Sequence, residues 1–462
     1  MGHTADNVVG MIFIKMFVIF CSILLSILSV GASSDFKRHP VVYGVSPLFL
    51  SYGSNVAGLR AVRDRLPEIK ELGANIVWLQ PITTPFEQDG HGYDVVNYRE
   101  VWPVLGGEKE LRALVKEAHR LNLRIMLDVV LNHSSSEHPF VKDIVAKGKA
   151  SPYWDFYQRT PLRDVPYSQH FHERRIGGET FIHYFWEHLL NFNYNSAALR
   201  EYLFGSLEMW VKEFDVDGFR FDASWGPSTR WPAFYRTVND RLRKMKPEII
   251  LMAEDMTGYP KAYEGTGHPH LGGSGFDWAY DWNNVDPNFI SKWAFQLDDE
   301  QKHDVFNCAG PVEAAEEFYD RLLMSSSRDV LPVRYIENND TPGFLLHHTK
   351  EETKWAATTM FLLPGVPLIF YGQETGNKYE LYELPSFPPG RKMSSYDPSL
   401  WTFYQKLIAL RKRTPVLSEG RMSNLRREQA IVTYDLILKG ETLRVELDFK
   451  SKSAKLGETP VP

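Results

Sequence analysis

The sequence D-G-F-R-F-D occupies residues 217–222. Side chains alternate across a β-strand, so Phe219 and Phe221 lie on one face of it. Arg220 and Asp222 share the opposite face. In a parallel barrel the outer face of each strand packs against helices, and functional polar groups collect where the strands end. The segment therefore predicts a barrel strand with apolar residues outside and a charged pair inside.

Seven more β-rich runs accompany this segment, and amphipathic stretches with helical periodicity separate them. Such alternation is typical of βα units, and eight repeats favour a closed (β/α)8 TIM barrel over an open sheet. The predicted strands are Val42–Pro47, Asn75–Gln80, Arg124–Val129, Asp217–Asp222, Ile249–Glu254, Gly275–Tyr280, Pro332–Glu337 and Pro367–Tyr371. The predicted helices include Gly58–Leu72, Glu108–Leu121, Ala197–Phe214, Trp231–Lys244 and Lys354–Leu363.

Two stretches depart from this alternation. A long irregular stretch, rich in aromatic and histidine residues, separates the third and fourth strands, and its length favours a small inserted domain over a structureless loop. Near the C-terminus the pattern changes to strict alternation, which predicts antiparallel strands. The predicted α/β organisation is a barrel over 41–133 and 190–414, an inserted domain over 134–189, and a short C-terminal antiparallel β domain over 415–462.

The N-terminal segment predicts export. Residues Met16 to Val30 are apolar or small and follow Lys15, and Val30-Gly31-Ala32 has the small-residue pattern of a signal-peptidase site. We expect a cleaved signal peptide over residues 1–32, a secreted or extracytoplasmic protein, and no membrane association after cleavage. An uncleaved anchor is the alternative, because counting from Met11 approaches the roughly 20 apolar residues that span a bilayer.

Composition narrows the class of partner. The 52 Lys and Arg residues against 58 Asp and Glu give a net charge of −6, without a clustered basic face, so nucleic acid is not expected. Aromatic residues make up 13% of the chain, including 12 Trp and 22 Tyr. Most are expected to fill the core, but flat rings also stack on the apolar faces of sugars. The composition is compatible with an oligo- or polysaccharide partner, and it gives no indication of oligomeric state.

Four carboxylate residues fall at the C-terminal ends of predicted strands, which is where a barrel places its reactive groups. Asp128 lies in D-V-V-L-N-H at the third strand, and Asp222 ends the fourth. Glu254 ends the fifth strand in L-M-A-E-D, and Asp340 follows the seventh in I-E-N-N-D. Their common position predicts one active site.

Two of these carboxylates have surroundings suited to opposite protonation states. Arg220 shares the face of Asp222, and an adjacent cation favours the ionised form that a nucleophile needs. A buried structural ion pair is the alternative. Glu254 follows an apolar run, where burial and nearby carboxylates are expected to raise its pKa and suit it to general acid catalysis. Asp255 is the less favoured acid, because it points to the other side of the strand.

Together, in this order and at these spacings, the four motifs resemble glycoside hydrolase family 13, the α-amylase family, from about residue 41 to 413. The resemblance implies a TIM barrel with an insertion after the third strand, and cleavage of α-glucosidic bonds with net retention. It also implies that Asp222 is the nucleophile, Glu254 the acid/base, and Asp340 the third carboxylate, which grips sugar hydroxyls.

Further matches imply binding roles. Tyr93 in H-G-Y-D resembles the family's stacking platform, whereas His133 and Arg220 resemble its hydroxyl-binding and nucleophile-orienting residues. Asp94 and Asp128 resemble structural residues. Where the family usually has N-H-D, this chain has Asn338-Asn339-Asp340, so Asn339 replaces a histidine that binds the same sugar. We expect it to donate a hydrogen bond to that sugar but not to titrate.

No cofactor or metal is expected. The loop after the first strand lacks an Asp-rich calcium pattern, although Asn132 matches a calcium ligand of some relatives, so calcium stays open. The insertion contains four histidines without clean metal spacing, and they are expected to be solvated or to edge the substrate: His170, His172, His183 and His188.

Two alternatives compete with hydrolysis. A transglycosylase differs only in whether a sugar or water attacks the intermediate. Some proteins with this barrel are non-catalytic, membrane-anchored transporter subunits, and an N-terminal apolar segment would suit that role. The intact set of Asp222, Glu254, Asp340 and Arg220 favours an enzyme. After Asp222 the chain reads A-S-W-G, without the Lys-His pair of many α-amylases, which disfavours an endo-acting starch amylase.

Overall fold

The protein was analysed as a computed structural model that describes residues 35–86, 91–162, 171–254, 273–280, 310–324, 330–380 and 383–461. Eight parallel strands close into a barrel, which confirms the predicted fold class. The strands are β1 (Val42–Val45), β2 (Ile76–Leu79), β3 (Arg124–Val130), β4 (Gly218–Asp222), β5 (Ile250–Ala253), β6 (Trp278–Tyr280), β7 (Leu331–Arg334) and β8 (Val366–Phe370).

The register of neighbouring strands decides which side chains meet inside the barrel. Arg220 on β4 is level with Asp128 on β3 and with Met252 on β5. Residues at one level of a parallel sheet share a face, so Asp128 points to the same side as Arg220. The charged pair inferred from β4 thus becomes part of a larger cluster.

Large side chains fill the barrel interior. Trp78, Arg220 and Tyr280 are fully buried, and the rings of Trp78 and Tyr280 meet edge to face with centroids 6.1 Å apart. Gly44 on β1 leaves the space for this, since a Cβ there would lie 2.7 Å from the Trp78 ring. The interior is therefore a packed core and not a pore.

Helices surround the barrel and the adjoining segments. They span Asp35–Arg38, Pro47–Leu50, Gly58–Leu72, Gly107–Arg120, Pro139–Lys147, Ala197–Phe214, Trp225–Arg230, Phe234–Met245, Pro311–Met324, Phe344–His347, Lys350–Leu362, Pro398–Arg413 and Val416–Glu419. Short 3-10 helices span Pro103–Leu105, Gly148–Ala150, Trp154–Phe156, Gln373–Thr375 and Met393–Ser395.

Two helices begin three or more residues away from the predicted start. The helix predicted from Trp231 starts at Phe234, because Pro232 disfavours helical backbone at the preceding residue. The helix predicted from Lys354 starts at Lys350, where Thr349 and Glu352 form a reciprocal capping box. In both cases local chemistry moved the boundary, whereas the helix itself was predicted correctly.

An inserted sheet follows β3. Its antiparallel order is His133–Ser135, Leu189–Asn191, Glu179–His183, His172–Ile176, and the helix Pro139–Lys147 accompanies it. A smaller antiparallel pair, Thr83–Pro85 with Val95–Val101, follows β2. The first strand of the inserted sheet begins at His133, only three residues after β3 ends. The insertion therefore lies at the C-terminal end of the barrel strands.

A five-stranded antiparallel sheet forms the C-terminal part of the chain. Tyr434 of this sheet donates a buried hydrogen bond of 3.1 Å to the Leu362 carbonyl, and Phe449 packs against Phe318 and Trp355. These contacts dock the sheet on two helices outside the barrel. Its strands are β9 (Arg421–Glu428), β10 (Ile431–Leu438), β11 (Glu441–Asp448), β12 (Ser453–Leu456) and β13 (Thr459–Pro460).

The N-terminal segment predicted as a signal peptide, residues 1–32, lies outside the described residues. Among the helices of the described ranges, none has the length and apolar character needed to cross a membrane.

Candidate active site

Three carboxyl groups contact one guanidinium at the C-terminal end of the barrel, and a fourth carboxyl group lies near them. Arg220 Nη1 donates to Asp128 Oδ1 and Oδ2, at 3.0 and 3.2 Å, and to Asp222 Oδ1 at 2.9 Å. Its Nη2 lies 3.0 Å from Glu254 Oε2. The charge of Asp340 also acts on Asp222. The fold thus brings together the residues that the motifs had singled out.

Arg220 is held rigidly in this position. Its guanidinium lies 5.5 Å from the ring centroid of Trp78 and 5.2 Å from that of Tyr280. Burial acts to lower the pKa of Arg220, but the surrounding carboxylates raise it well above its ordinary value. A permanently charged group between two aromatic faces fixes the carboxylates by geometry as well as by charge.

The backbone after β4 orients Glu254. Ala223 N donates to Glu254 Oε2 at 2.6 Å, and Ala223 has a φ of 43°, which is uncommon for a residue with a Cβ. Burial raises the pKa of Glu254 to about 7, and the charge of Asp222 and a hydrogen bond with it also raise the pKa. Because Oε2 already accepts a hydrogen bond, Oε1 is the oxygen left to hold the proton. The expected rise in the pKa of Glu254 agrees with this environment.

The pKa of Asp222 differs from the expectation based on the neighbouring Arg220. Burial raises its pKa above the ordinary value, although the Arg220 guanidinium acts to lower it. The sequence placed one cation beside one carboxylate, whereas the structure places several buried carboxyl groups around that cation. Since a single guanidinium cannot balance them all, the cluster retains protons near neutral pH.

Asn339 links Asp340 to Tyr93 through hydrogen bonds. Its Nδ2 donates to Asp340 Oδ2 at 2.8 Å and to Tyr93 Oη at 3.2 Å, and Tyr93 Oη donates to Asp128 Oδ2 at 3.0 Å. Its Oδ1 is buried without a hydrogen-bond partner in the described part of the chain. The sequence predicted a donor to the sugar at Asn339, but the amide N–H groups are engaged and the oxygen is the free acceptor.

His133 contacts the same tyrosine from the insertion. Its Nε2 lies 3.2 Å from the Tyr93 carbonyl, and its Nδ1 lies 3.0 Å from Asn132 Nδ2. Burial lowers the pKa of His133 to about 3, so the ring is neutral at working pH. Tyr93 is therefore contacted by His133 at its backbone carbonyl and by Asn339 at its side-chain hydroxyl.

Sequence reasoning missed several residues of this site. Trp78 and Tyr280 enclose Arg220, and Ala223 orients Glu254, but none has a chemical feature that a motif would reveal. Trp186, 46% exposed, stacks on His91 at 5.4 Å and on His188 at 6.1 Å. In the sequence, the feature that could have indicated Trp186 was its place two residues before His188, in a stretch rich in aromatic and histidine residues.

The histidines of the insertion are dispersed. His172 and His183 are cross-strand neighbours with ring centroids 5.5 Å apart, and His188 lies against Trp186. His170 lies outside the described residues. Across the described ranges, no group of three or more His, Cys, Asp or Glu residues is arranged to hold a metal ion.

The chain forms a closed parallel barrel with buried carboxyl groups at the ends of β4 and β5, which is the arrangement of glycoside hydrolases that have a barrel fold. The family model for the alpha-amylase catalytic domain matches residues 49–383, and the chain belongs to this family. It is a retaining glycoside hydrolase that acts on α-glucosidic bonds.

Known relatives agree with this assignment. Alpha-amylase 3 of Dictyoglomus thermophilum is 25% identical over 474 residues, covering 94% of this chain and 89% of that protein. Cyclomaltodextrinase of Thermoanaerobacter pseudethanolicus is 25% identical, covering 85% of this chain and 64% of that protein. Among solved structures, Eubacterium rectale Amy13B has a TM-score of 0.73 at 19% identity, covering 89% of this chain and 86% of that one. A Nostoc punctiforme debranching enzyme has a TM-score of 0.70 at 21% identity, covering 90% and 88%. These structural likenesses concern the fold.

Proposed function

We propose that Asp222 is the nucleophile and Glu254 the acid/base of a double displacement on α-linked gluco-oligosaccharides. The observation that carries the proposal is that one guanidinium, that of Arg220, contacts both carboxyl groups, with Nη1 2.9 Å from Asp222 Oδ1 and Nη2 3.0 Å from Glu254 Oε2. Carboxyl pairs in retaining glycosidases are about 5 to 5.5 Å apart, whereas inverting enzymes leave room for a water molecule between them.

In the first step, Glu254 gives its proton to the glycosidic oxygen while the Asp222 carboxylate attacks the anomeric carbon. The bond to the leaving sugar breaks, and a covalent β-linked glycosyl ester forms on Asp222. In the second step, the ionised Glu254 takes a proton from water, which attacks the same carbon and releases Asp222. Both steps are complete with side chains and water, so we propose no cofactor.

We propose that the binding residues contact different parts of the reacting sugar. The ring of Tyr93 offers a stacking face, and His133 lies next to it with a neutral ring. Asp340 and the free Oδ1 of Asn339 are acceptors for sugar hydroxyls. The exposed ring of Trp186 offers a second stacking face at the rim for the leaving part of the chain.

We propose malto-oligosaccharides as the substrate class, which the names of two relatives, a cyclomaltodextrinase and a maltogenic alpha-amylase, support. Product analysis on starch, pullulan, maltotriose and sucrose tests this choice. With maltotriose as the only substrate, products longer than maltotriose would favour transglycosylation. Absence of turnover on every substrate would favour a non-catalytic barrel subunit instead.

The decisive test of the residue roles is Asp222→Asn. We expect turnover to fall by several orders of magnitude in a folded protein, because the covalent step is lost. The matched control is Asp217→Asn, which makes the same change in the sequence run that forms β4 but beside His119 and Lys246, at the opposite end of the barrel. It should keep turnover per folded molecule. Activity of Asp222→Asn within tenfold of the parent, or β-anomeric product seen first by NMR, would overturn the proposal.

We also propose export, which the apolar N-terminal segment supports. N-terminal sequencing of the mature protein from the medium should begin at Ser33. A protein that keeps residue 1 and sediments with membranes would contradict this.

A further inference from the structure

Three oxygen atoms converge on Arg230 where the insertion meets the barrel. Its Nη1 donates to the Asn132 and Phe192 carbonyls, both at 3.0 Å, and its Nη2 donates to Asn132 Oδ1. Asn132 follows β3, Phe192 follows the strand Leu189–Asn191 of the inserted sheet, and Arg230 ends the helix after β4. One side chain therefore joins three segments around the active site.

Carbonyl and amide oxygens are the ligands that calcium takes, and Asn132 is the residue that matches a calcium ligand of some relatives. The surroundings do not fit a calcium ion here. Calcium takes six to eight oxygens, commonly with carboxylates among them, but the described neighbours of this group are neutral oxygens already bonded to a guanidinium. An arginine is charged at any working pH, and two cations cannot share one small set of oxygens.

The packing around this group is tight. A Cβ on Gly226 would lie 2.0 Å from Asn132 Oδ1 and 3.1 Å from Arg230 Nη2. The guanidinium also lies 5.7 Å from the Tyr194 ring centroid. The loop after β4 is therefore shaped to this contact, with glycine where a side chain would collide.

The contact between Arg230 and Asn132 orients the Asn132 amide toward His133. A guanidinium only donates hydrogen bonds, so the atom of Asn132 that faces it must be Oδ1. The amide Nδ2 then faces His133 Nδ1 at 3.0 Å, and Nδ1 must accept. The ring proton is left on Nε2, which donates to the Tyr93 carbonyl at 3.2 Å. Arg230 thereby selects one tautomer of a neutral histidine in the substrate site.

We infer that Arg230 is a resident cation that takes the place of a calcium ion at this junction. It joins the insertion to the barrel and acts as a positioning residue, holding Asn132 so that His133 presents its Nε2–H form. The joining role does not depend on the proposed function, whereas the positioning role rests on the proposed binding of sugar by His133.

The first experiment concerns the metal alone. The melting temperature of the full chain is measured in EDTA and in Ca²⁺, and terbium luminescence serves as a probe of calcium sites near aromatic rings. We expect the two melting temperatures to agree within about 3 °C, with no saturable terbium signal. A larger fall in EDTA, or saturable terbium binding that calcium displaces, would overturn the inference without bearing on the proposed catalytic residues.

The second experiment compares Arg230→Met and Arg230→Lys with Arg200→Met. Arg200 is a matched control, because it stacks on Trp231 at 4.1 Å and donates to the Tyr194 carbonyl but has no contact with Asn132. We expect Arg230→Met to lower the melting temperature and kcat/KM, the latter by about tenfold. Arg230→Lys should recover part of both. Arg200→Met should change stability only.

A double-mutant cycle separates positioning from general stability. If Arg230 acts through His133, Arg230→Lys should have little further effect on kcat/KM once His133→Ala is present. Fully additive losses, or an equal loss of kcat/KM in Arg200→Met, would overturn the positioning role. Because the lysine variant retains a cation, the cycle remains measurable even if Arg230→Met does not fold.

Discussion

Replacing Glu254 by glutamine separates the two chemical steps. Glutamine has nearly the shape of glutamate, so its amide oxygen can keep the 2.6 Å hydrogen bond from Ala223 N. Its NH2 group then takes the position of Oε1 and donates to Asp222. No buried hydrogen-bonding group loses its partner, so the variant should fold with a stability close to that of the parent. What is lost is the transferable proton.

The size of the effect follows from the role of that proton. General acid catalysis contributes about 10² to 10⁴ in rate, which corresponds to roughly 3 to 5.5 kcal/mol of barrier. A malto-oligosaccharide has a poor leaving group and should lose this whole factor. An α-glucosyl fluoride needs no protonated leaving group, so its first step should be almost unaffected. Its second step needs Glu254 as a base, so the glycosyl ester on Asp222 should accumulate.

The pH dependence has a definite sign. Asp222 must be ionised, so parent activity falls as pH drops through its pKa. Glu254 must be protonated, so activity also falls as pH rises above its pKa of about 7. The parent profile on malto-oligosaccharides is therefore bell-shaped. Glu254→Gln should lose the high-pH limb in the fluoride-releasing step and keep the low-pH limb.

Rapid-mixing measurement of fluoride release and mass spectrometry of the glycosylated Asp222 peptide test these expectations. The matched control is Glu337→Gln, since Glu337 is also a buried glutamate that accepts from a backbone N–H, that of Phe344, and burial raises its pKa to about 8. The control should show neither a fluoride burst nor an accumulated ester. Equal losses on fluoride and malto-oligosaccharide in Glu254→Gln, or an unchanged high-pH limb, would refute the assignment.

Three further predictions concern other parts of the molecule. Asn339→His should lower kcat/KM by roughly tenfold at low pH, because an imidazolium cannot supply the acceptor that Asn339 Oδ1 offers to a sugar hydroxyl, and part of the loss should be recovered as the ring deprotonates; a gain at low pH would mean that this position donates to the sugar instead. Burial acts to raise the pKa of Asp217, but His119 and Lys246 hold it below its ordinary value. Asp217→Asn should therefore lower the free energy of unfolding by about 1.5 to 3 kcal/mol near neutral pH, and the difference should vanish as pH falls through that lowered pKa. A difference that persists in acid would contradict this. Tyr434→Phe should cost about 1 kcal/mol in urea unfolding, because it removes the bond that docks the C-terminal sheet; an unchanged midpoint would mean that apolar packing alone holds the sheet.

The local sequence pattern was sufficient to predict the strands and helices of the fold. The alternation in residues 217–222 and its seven counterparts predicted all eight barrel strands, because a strand between a core and a helical layer needs apolar residues on fixed faces. The carboxylates were found for a related reason, since burying a charged residue at the end of an apolar run costs free energy, and its presence there marks a candidate functional residue. The helices that begin at Phe234 and Lys350 could be placed correctly only from the chemistry of proline and of capping residues, which hydrophobic periodicity does not include.

The sequence by itself determined that this chain forms a barrel and which carboxylates meet at one end of it, because both follow from periodicity and from the parallel direction of the strands. Only the tertiary structure decided the protonation of the site. Arg220 next to Asp222 implied a low pKa, but burial and carboxyl groups from other strands raise it, since electrostatic energies depend on distances between residues far apart in sequence. The same holds for Arg230, whose contact with Asn132 joins residues 98 positions apart and became visible only when the chain folded.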